Sequence, residues 1–189
     1  MHPPAAEGAE PHAADAAAGP ARHAAPAPAA DDRLALRAAL GRYATGVTII
    51  TCRNAAGLPV GLTANSFSAL SLDPPLVLWS LRRASSALAN FAAAPVFAVN
   101  VLSEAQVELS RRFASREADK FAQGVWRDGL GGAPLLEGST ATFECRLVSQ
   151  QAAGDHVLFI GEVLHHRHDA DEPALAFHAG HYHAVGERL

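Results

Sequence analysis

Small and hydroxyl-bearing residues are concentrated in residues 61–68 of the sequence, GLTANSFS. Thr63, Asn65 and Ser66 bring two hydroxyl groups and an amide into this stretch, and the segment SLDPP follows at residues 71–75. Such a segment lets backbone amides and hydroxyl groups approach a ligand that is rich in hydrogen-bond acceptors. The same composition is typical of a polar loop held by its own side-chain to backbone hydrogen bonds. The residues alone leave both interpretations open.

One histidine stands directly after a predicted turn. Gly154 and Asp155 are turn-forming residues, and His156 begins the apolar stretch that follows. An imidazole in this position can face a cleft, where it could orient a ligand carboxamide or take part in proton movement near neutral pH. An ordinary histidine at the end of a strand explains the same pattern.

Basic residues lie close to the candidate ligand-binding segments. Arg82 and Arg83 follow an apolar run, and Arg111, Arg112 and Lys120 lie farther along the chain. A guanidinium group can bind a phosphate through paired hydrogen bonds, whereas an ammonium group acts as a point charge. Each of these residues is equally compatible with a solvated surface charge.

The C-terminal part of the chain is rich in histidine. The residues concerned are His165, His166, His168, His178, His181 and His183. On a strand, His181 and His183 would share a face that His178 does not, and no carboxylate or thiolate completes a zinc motif. We therefore predict no metal site.

Two nucleotide-binding signatures are missing from the sequence. The glycines of residues 129–132 lie in a turn-rich stretch with no helix-forming sequence directly after it, which excludes a dinucleotide-binding strand–loop–helix unit. No Walker-type phosphate loop occurs either. A nicotinamide cofactor, if one is used, would have to enter an open cleft as a substrate.

The composition indicates one globular domain with a real core, because 49% of the 189 residues are hydrophobic. The formal net charge of −4 argues against a broad basic surface for nucleic acid. No stretch approaches the roughly 18 consecutive apolar residues of a membrane span. Cys52 and Cys145 have no paired-cysteine spacing, which is typical of a reduced, cytoplasmic protein.

Residues 1–30 are predicted to form a disordered tail. Alanine and proline dominate the segment, and Gly8 and Gly19 interrupt any apolar run. Its acidic residues argue against a secretory signal or a transit peptide. The folded domain is therefore predicted to cover residues 31–189.

Three helices are predicted around the candidate segments. The first begins at Asp31 or Asp32, packs its apolar positions against a sheet and ends at Gly46. The second is short, is capped by Ser85 or Ser86 and runs through Phe91. The third follows a capping box formed by Ser103 and Gln106 and runs toward Phe113.

Short apolar runs separated by turn residues predict six or seven strands. Residues 140–148 alternate most clearly, with Phe143, Cys145 and Leu147 on one face. The other predicted strands cover residues 47–51, 60–64, 76–81, 96–102, 157–164 and 182–185. Because helices are inserted between strands rather than strictly alternating with them, the pattern favours a closed antiparallel barrel over a doubly wound parallel sheet.

Seven motifs occur in order between about Leu36 and Val185, and their register makes a chance match improbable. They are YATGVT at 43–48, TANSF at 63–67, SLDPP at 71–75, FAVNVL at 97–102, RFA at 112–114, EC at 144–145 and GDH at 154–156. Together these motifs resemble the flavin reductase family of split-barrel flavoproteins, and specifically the small reductase components of two-component flavin-dependent monooxygenases.

This resemblance implies a fold and a set of site residues. The fold is a six-stranded antiparallel Greek-key split barrel with peripheral helices, in a homodimer with flavin near the subunit interface. The residues expected at the flavin ring and ribityl chain are Thr63, Ala64, Asn65 and Ser66. Those expected along the phosphate are Ser80, Leu81, Arg82 and Ser86. Phe113 and Ala114 would line the flavin pocket, and His156 would lie on the nicotinamide side.

The resemblance also implies an activity. The expected enzyme oxidises NADH or NADPH, reduces FMN or FAD by hydride transfer, and supplies diffusible reduced flavin to a partner monooxygenase. Two alternatives stay open: a related enzyme with tightly bound flavin that reduces another acceptor, and a non-catalytic flavin-binding module. The sequence does not choose between FMN and FAD or between NADH and NADPH.

Overall fold

A computed structural model describes residues 30–186 of the chain. The predicted tail lies outside the described residues, apart from Ala30, which begins the first helix. Residues 187–189, the end of the predicted domain, also lie outside them. The described residues form mainly β structure with three α-helices, which are α1 (Ala30–Leu40), α2 (Leu88–Ala93) and α3 (Val107–Ala114).

Twelve strands of the described chain form three sheets in which every ladder is antiparallel. They are β1 (Thr45–Gly46), β2 (Thr48–Arg53), β3 (Pro59–Ala64), β4 (Ser68–Leu72), β5 (Pro75–Arg82), β6 (Val96–Val101), β7 (Trp126–Asp128), β8 (Pro134–Leu136), β9 (Ala141–Ala153), β10 (His156–His168), β11 (Leu175–His178) and β12 (His181–Ala184). The largest sheet has the order β3-β2-β6-β9-β10-β5-β4. The prediction of a mainly β, antiparallel architecture is confirmed.

The predicted number of strands, six or seven, is wrong. The strands that sequence reasoning missed are β1, β4, β7, β8 and β11, and none of them is longer than five residues. Strands this short carry too few residues for a period of two to stand out. All seven predicted strands are present, and β9 and β10 are longer than expected, at 13 residues each.

The two outer strands of the large sheet, β3 and β4, follow each other directly in the chain. The connection between them carries Ser66, whose hydroxyl donates to the Ser80 carbonyl and accepts the Ser80 amide, each at 3.0 Å. Because Ser80 belongs to β5, this pair of bonds ties the end of β3 to the opposite side of the sheet. The same connection borders the cleft described below.

A cluster of four aromatic side chains occupies the centre of the core. Trp79 stacks on Phe159 with ring centroids 4.5 Å apart, and Phe91 and Phe97 meet Trp79 edge to face. All four side chains are almost completely buried. Aromatic pairs of this kind each contribute about 0.5–1.5 kcal/mol beyond the burial of their surface. The cluster therefore anchors β5, which carries part of the candidate site.

The first predicted helix differs from expectation in its end and in its packing. Helix α1 ends at Leu40, and Gly46 instead lies in β1, opposite Ala176 of β11. The apolar side chains that were expected to pack on the sheet are exposed, with Leu40 at 65% and Tyr43 at 78%. The apolar spacing indicated a helix correctly but could not show that the described chain leaves this helix face uncovered.

The other two helices follow their predicted starts to different degrees. The capping box is present, with the Ser103 amide donating to Oε1 of Gln106 at 3.1 Å. It opens a short 3-10 turn that leads into α3. Helix α2 begins later than predicted, because the Ser85 hydroxyl accepts the Ala87 amide in a turn that precedes the helix.

Candidate functional site

An open cleft of about 990 Å³ lies between the β3–β4 connection, the end of β5, the turn before α2 and the loop after α3. All eleven residues that the sequence predicted for the site line this one cleft. They are Thr63, Ala64, Asn65, Ser66, Ser80, Leu81, Arg82, Ser86, Phe113, Ala114 and His156. The structure thus brings together segments separated by up to about 90 residues, while the role of each residue stays a prediction.

The floor of the cleft is apolar. Phe113 is 1% exposed and packs edge to face on Phe121, with ring centroids 5.0 Å apart. It also contacts β3, where a Cβ atom added to Gly61 would lie 2.6 Å from Cε1 of Phe113. Glycine at this position therefore allows α3 to approach the strand that carries the polar segment.

The polar segment, residues 61–68, contains side chains that are hydrogen-bonded within residues 30–186 and at least one that is not, Asn65. Thr63 donates its hydroxyl to the Ser110 carbonyl at 2.6 Å, and Ser66 is bonded to Ser80 as described above. Ala64 is buried in the core. The exposed Asn65 side chain, by contrast, makes no hydrogen bond within residues 30–186. Its amide is therefore available to a ligand as both donor and acceptor.

The turn after β5 offers unpaired donors. The backbone amides of Ala84 and Ser86 have no acceptor within the described chain, and the Ser86 hydroxyl has no partner there either. Arg82 is exposed and has no ion pair within the same residues. Amides, a hydroxyl and a guanidinium group in one turn form a suitable donor set for a phosphate. Leu81 is buried in the core, so it contributes mainly backbone to the cleft.

His156 of β10 lies directly opposite Arg82 of β5, because the two residues are cross-strand partners. Nδ1 of His156 is 2.7 Å from Oδ1 of Asp155, and the imidazole is 38% exposed. The hydrogen bond from His156, followed by its charge, holds the pKa of Asp155 below its usual range. Asp155 thereby engages Nδ1, while Nε2 has no hydrogen bond within residues 30–186.

The other basic candidates separate into two groups. Lys120 lines the cleft and donates to the Phe113 carbonyl at 2.8 Å, and burial lowers the pKa of its ammonium group. Arg111 pairs with Glu108 and its guanidinium lies 5.6 Å from the centre of the Tyr182 ring. Arg83 does not line the cleft. Among the basic residues that the sequence offered as phosphate ligands, only Arg82 and Lys120 therefore line the cleft.

Sequence reasoning missed the loop after α3 as part of the cleft. Ser115, Arg116 and Glu117 line it. Arg112 holds this loop, since it forms an ion pair with Glu117 at 2.7 Å and donates to the Asp119 carbonyl. The available signal was the position of these residues directly after the RFA motif.

The histidine-rich segments lie elsewhere. His165, His166 and His168 are exposed along β10, while His178 and His183 face each other in the β11–β12 hairpin with ring centroids 5.8 Å apart. Within residues 30–186, no three histidine, cysteine or acidic side chains converge as a metal site would require. The same residues contain no helix long and apolar enough to cross a bilayer.

Comparison with known proteins gives consistent results over most of the chain. Residues 40–186 match the flavin reductase like domain. The FMN reductase (NADH) SmoA of Agrobacterium fabrum is 42% identical over 153 residues, which are 81% of this chain and 86% of that protein. The reductase component of the flavin-dependent trigonelline monooxygenase of Acinetobacter baylyi is 45% identical over 128 residues, which are 68% of this chain.

A solved structure shows the same fold. The NADH:FAD oxidoreductase SgcE6 of Streptomyces globisporus, in complex with NAD and FAD fragments, superposes with a TM-score of 0.78 at 36% identity. The match covers 82% of this chain and 94% of that protein. Some relatives are longer, and this chain spans only 42% and 41% of two of them. The resemblance found in the sequence motifs is confirmed, and the chain belongs to the flavin reductase family.

Proposed function

We propose that this protein is an NAD(P)H:flavin oxidoreductase that reduces FMN or FAD by hydride transfer. The observation that carries the proposal is the single cleft in which all eleven predicted residues meet. Its donors suit a flavin: Asn65 offers an amide, and the turn after β5 offers Arg82 and two backbone amides that have no acceptor within residues 30–186. The relatives whose names include FMN, FAD and NADH support the same assignment.

Hydride transfer requires the protein to position the nicotinamide and the flavin, and it does not require a nucleophile. Hydride moves from C4 of the nicotinamide to N5 of the flavin, and this needs the two rings stacked in a partly dry cleft. Phe113 supplies an apolar floor, and Asn65 and Arg82 orient the flavin by hydrogen bonds. His156, fixed by Asp155, orients the nicotinamide carboxamide through Nε2.

The openness of the cleft supports exchange of the flavin with solvent, and hence a role as the reductase component for a flavin-dependent monooxygenase. The name of the Acinetobacter baylyi relative supports such a partner. The exposed apolar side chains Leu34, Leu40, Tyr43 and Leu72 support a homodimer, because a second copy that covers them would remove apolar surface from water.

The proposal extends to the finer fold and to the location of the protein. A Greek-key split barrel is supported by the consecutive strands β3 and β4 at opposite edges of the large sheet, and by the Ser66–Ser80 bonds that tie their connection to β5. A cytoplasmic location is supported by the unpaired, buried thiols of Cys52 and Cys145, which are typical of reducing compartments.

Oxidation of NADH and NADPH by the purified protein tests the proposal, with FMN, FAD or no flavin added. Turnover that saturates with added flavin supports a reductase of diffusible flavin. Turnover that does not depend on added flavin would instead support the alternative with a tightly bound flavin. The absence of turnover with every flavin would leave the non-catalytic binding module and overturn the proposal.

A further inference from the structure

A second cavity, of about 250 Å³, shares no lining residue with the flavin cleft. It lies where the β7–β8 pair meets the start of β9 and the end of β10. Arg127 of β7 and Arg167 of β10 line it, together with Thr142 of β9. Nothing in the proposed flavin chemistry uses these residues.

Two hydroxyl groups in this cavity lack the partners that buried polar groups normally have. Thr142 is only 7% exposed, yet its hydroxyl makes no hydrogen bond within residues 30–186. Oγ of Ser139 is buried and also has no hydrogen-bond partner in that part of the chain. Because most buried hydroxyl groups are hydrogen-bonded, the unpaired Ser139 hydroxyl indicates a polar partner that residues 30–186 do not supply, and the Thr142 hydroxyl lines the same cavity.

The cations of the cavity are unpaired as well. Arg127 and Arg167 form no ion pair or hydrogen bond within the described residues. Arg167 is the cross-strand partner of Thr142, so the two side chains leave the same face of the sheet at neighbouring positions, and both line the cavity. This combination of planar cationic donors and hydroxyl donors is the usual way in which proteins bind carboxylate and phosphate oxygens.

The acidic side chains of the cavity limit the charge of the ligand. Glu137 and Asp169 also line it, so the formal charges of the lining cancel. Asp169 is already engaged, since Oδ1 accepts the Asp171 amide at 3.1 Å. A ligand with one or two negative charges suits this balance better than a polyanion, because every added charge would also be repelled by the two carboxylates.

We propose that this cavity is a second binding site, for a small oxyanion of low charge such as a carboxylate or inorganic phosphate. The oxyanion is held between Arg127 and Arg167, and the hydroxyls of Thr142 and Ser139 donate to it. The site goes beyond the proposed reductase function and does not depend on it.

Calorimetric titration of the full-length protein tests the site, with sodium acetate and sodium phosphate as probes in a buffer free of other oxyanions. FMN carries a phosphate and is therefore left out, and binding in the flavin cleft is recognised by repeating the titration with Arg82→Ala. We expect saturable binding of one anion per chain. Saturation by acetate alone, by phosphate alone or by both supports the site and identifies its ligand.

Variants locate the binding. Arg167→Ala should weaken it about tenfold or more, as expected for the loss of a charge-assisted hydrogen bond. Thr142→Val, which keeps the side-chain shape, should weaken it by a smaller factor. Arg83→Ala is the matched control, because Arg83 is an exposed arginine that lines neither cavity.

Two results would overturn the proposal. One is the absence of saturable binding of either anion at millimolar concentration. The other is binding that Arg167→Ala and Thr142→Val leave unchanged. Circular dichroism of both variants confirms that a loss of binding does not arise from a loss of fold.

Discussion

Replacement of Arg82 by alanine should raise the KM for FMN about tenfold and leave the KM for riboflavin unchanged. Arg82 is exposed at the end of β5 and has no ion pair within the described chain, so its guanidinium group is available to the flavin phosphate. A charge-assisted hydrogen bond contributes about 1.5–3 kcal/mol. Exposure to solvent reduces this toward the lower limit. Since about 1.4 kcal/mol corresponds to a factor of ten in affinity, a tenfold effect follows.

The steady-state rate of NADH oxidation, measured against flavin concentration, gives both constants. Riboflavin lacks the phosphate, so it separates a phosphate contact from a general disturbance of the cleft. Arg83→Ala is the control variant, because Arg83 is the next residue but does not line the cleft. Equal increases of KM for FMN and riboflavin, or equal effects of Arg82→Ala and Arg83→Ala, would refute the reasoning.

Three further predictions follow from the same structure. Ser66→Ala removes both bonds to Ser80 and should cost about 1–3 kcal/mol of stability, measured by urea denaturation. It should also raise the KM for FMN, because the connection that carries the polar segment loses its tie to β5. His156→Ala should raise the KM for NADH about two- to tenfold, the value of one hydrogen bond, with little change in the KM for flavin. Burial raises the pKa of Cys52 and Cys145 to about 12. Above the ordinary thiol pKa of 9.0 the unfolded chain loses protons that the native protein retains, so stability falls as the pH rises. Between pH 8 and pH 10 each thiol should lower the free energy of unfolding by roughly 1 kcal/mol, measured by urea denaturation under reducing conditions.

Each of these predictions has its own control. Ser68→Ala removes an exposed hydroxyl that bonds only to the neighbouring Ala69 carbonyl, so it should leave both stability and KM unchanged. An unchanged KM for NADH in His156→Ala would remove that residue from the mechanism. For the thiols, the doubly substituted Cys52→Ala, Cys145→Ala protein should lose less stability between the two pH values than the parent. Equal losses of stability in the parent and in the doubly substituted protein would contradict the assignment of this pH dependence to the two thiols.

Local signals in the sequence were sufficient for several elements. The alternation over residues 140–148 identified β9, and the Ser103–Gln106 pair marked the start of the turn that leads into α3. The alternation places Thr142 on the face opposite Phe143, Cys145 and Leu147, which predicts an exposed side chain, yet Thr142 is buried. The segment that ends in β8 lies against this face, as the hydrogen bond from the Leu130 amide to Glu144 shows. A covering segment from elsewhere in the chain leaves no trace in the alternation.

The candidate site was predictable in its membership but not in its internal bonding. The motifs grouped residues of β3, β5, α3 and β10, and in the structure these residues line one cleft, while their roles stay predictions. The sequence could not show that the Ser66 hydroxyl is occupied by Ser80, or that Asn65 is left unpaired, because these facts depend on contacts between distant strands. The exposed face of α1 is a further case, since its apolar spacing is the same whether or not another surface covers it.

Transfer of electrons to a flavin that then leaves the protein is the central claim. It is tested most directly by mixing the purified protein with FMN and NADH without oxygen, and then separating small molecules by ultrafiltration. The account predicts that the flavin absorbance near 450 nm bleaches only when the protein is present, and that the reduced flavin passes through the filter. Flavin that is not bleached, or reduced flavin that is retained with the protein, would contradict it.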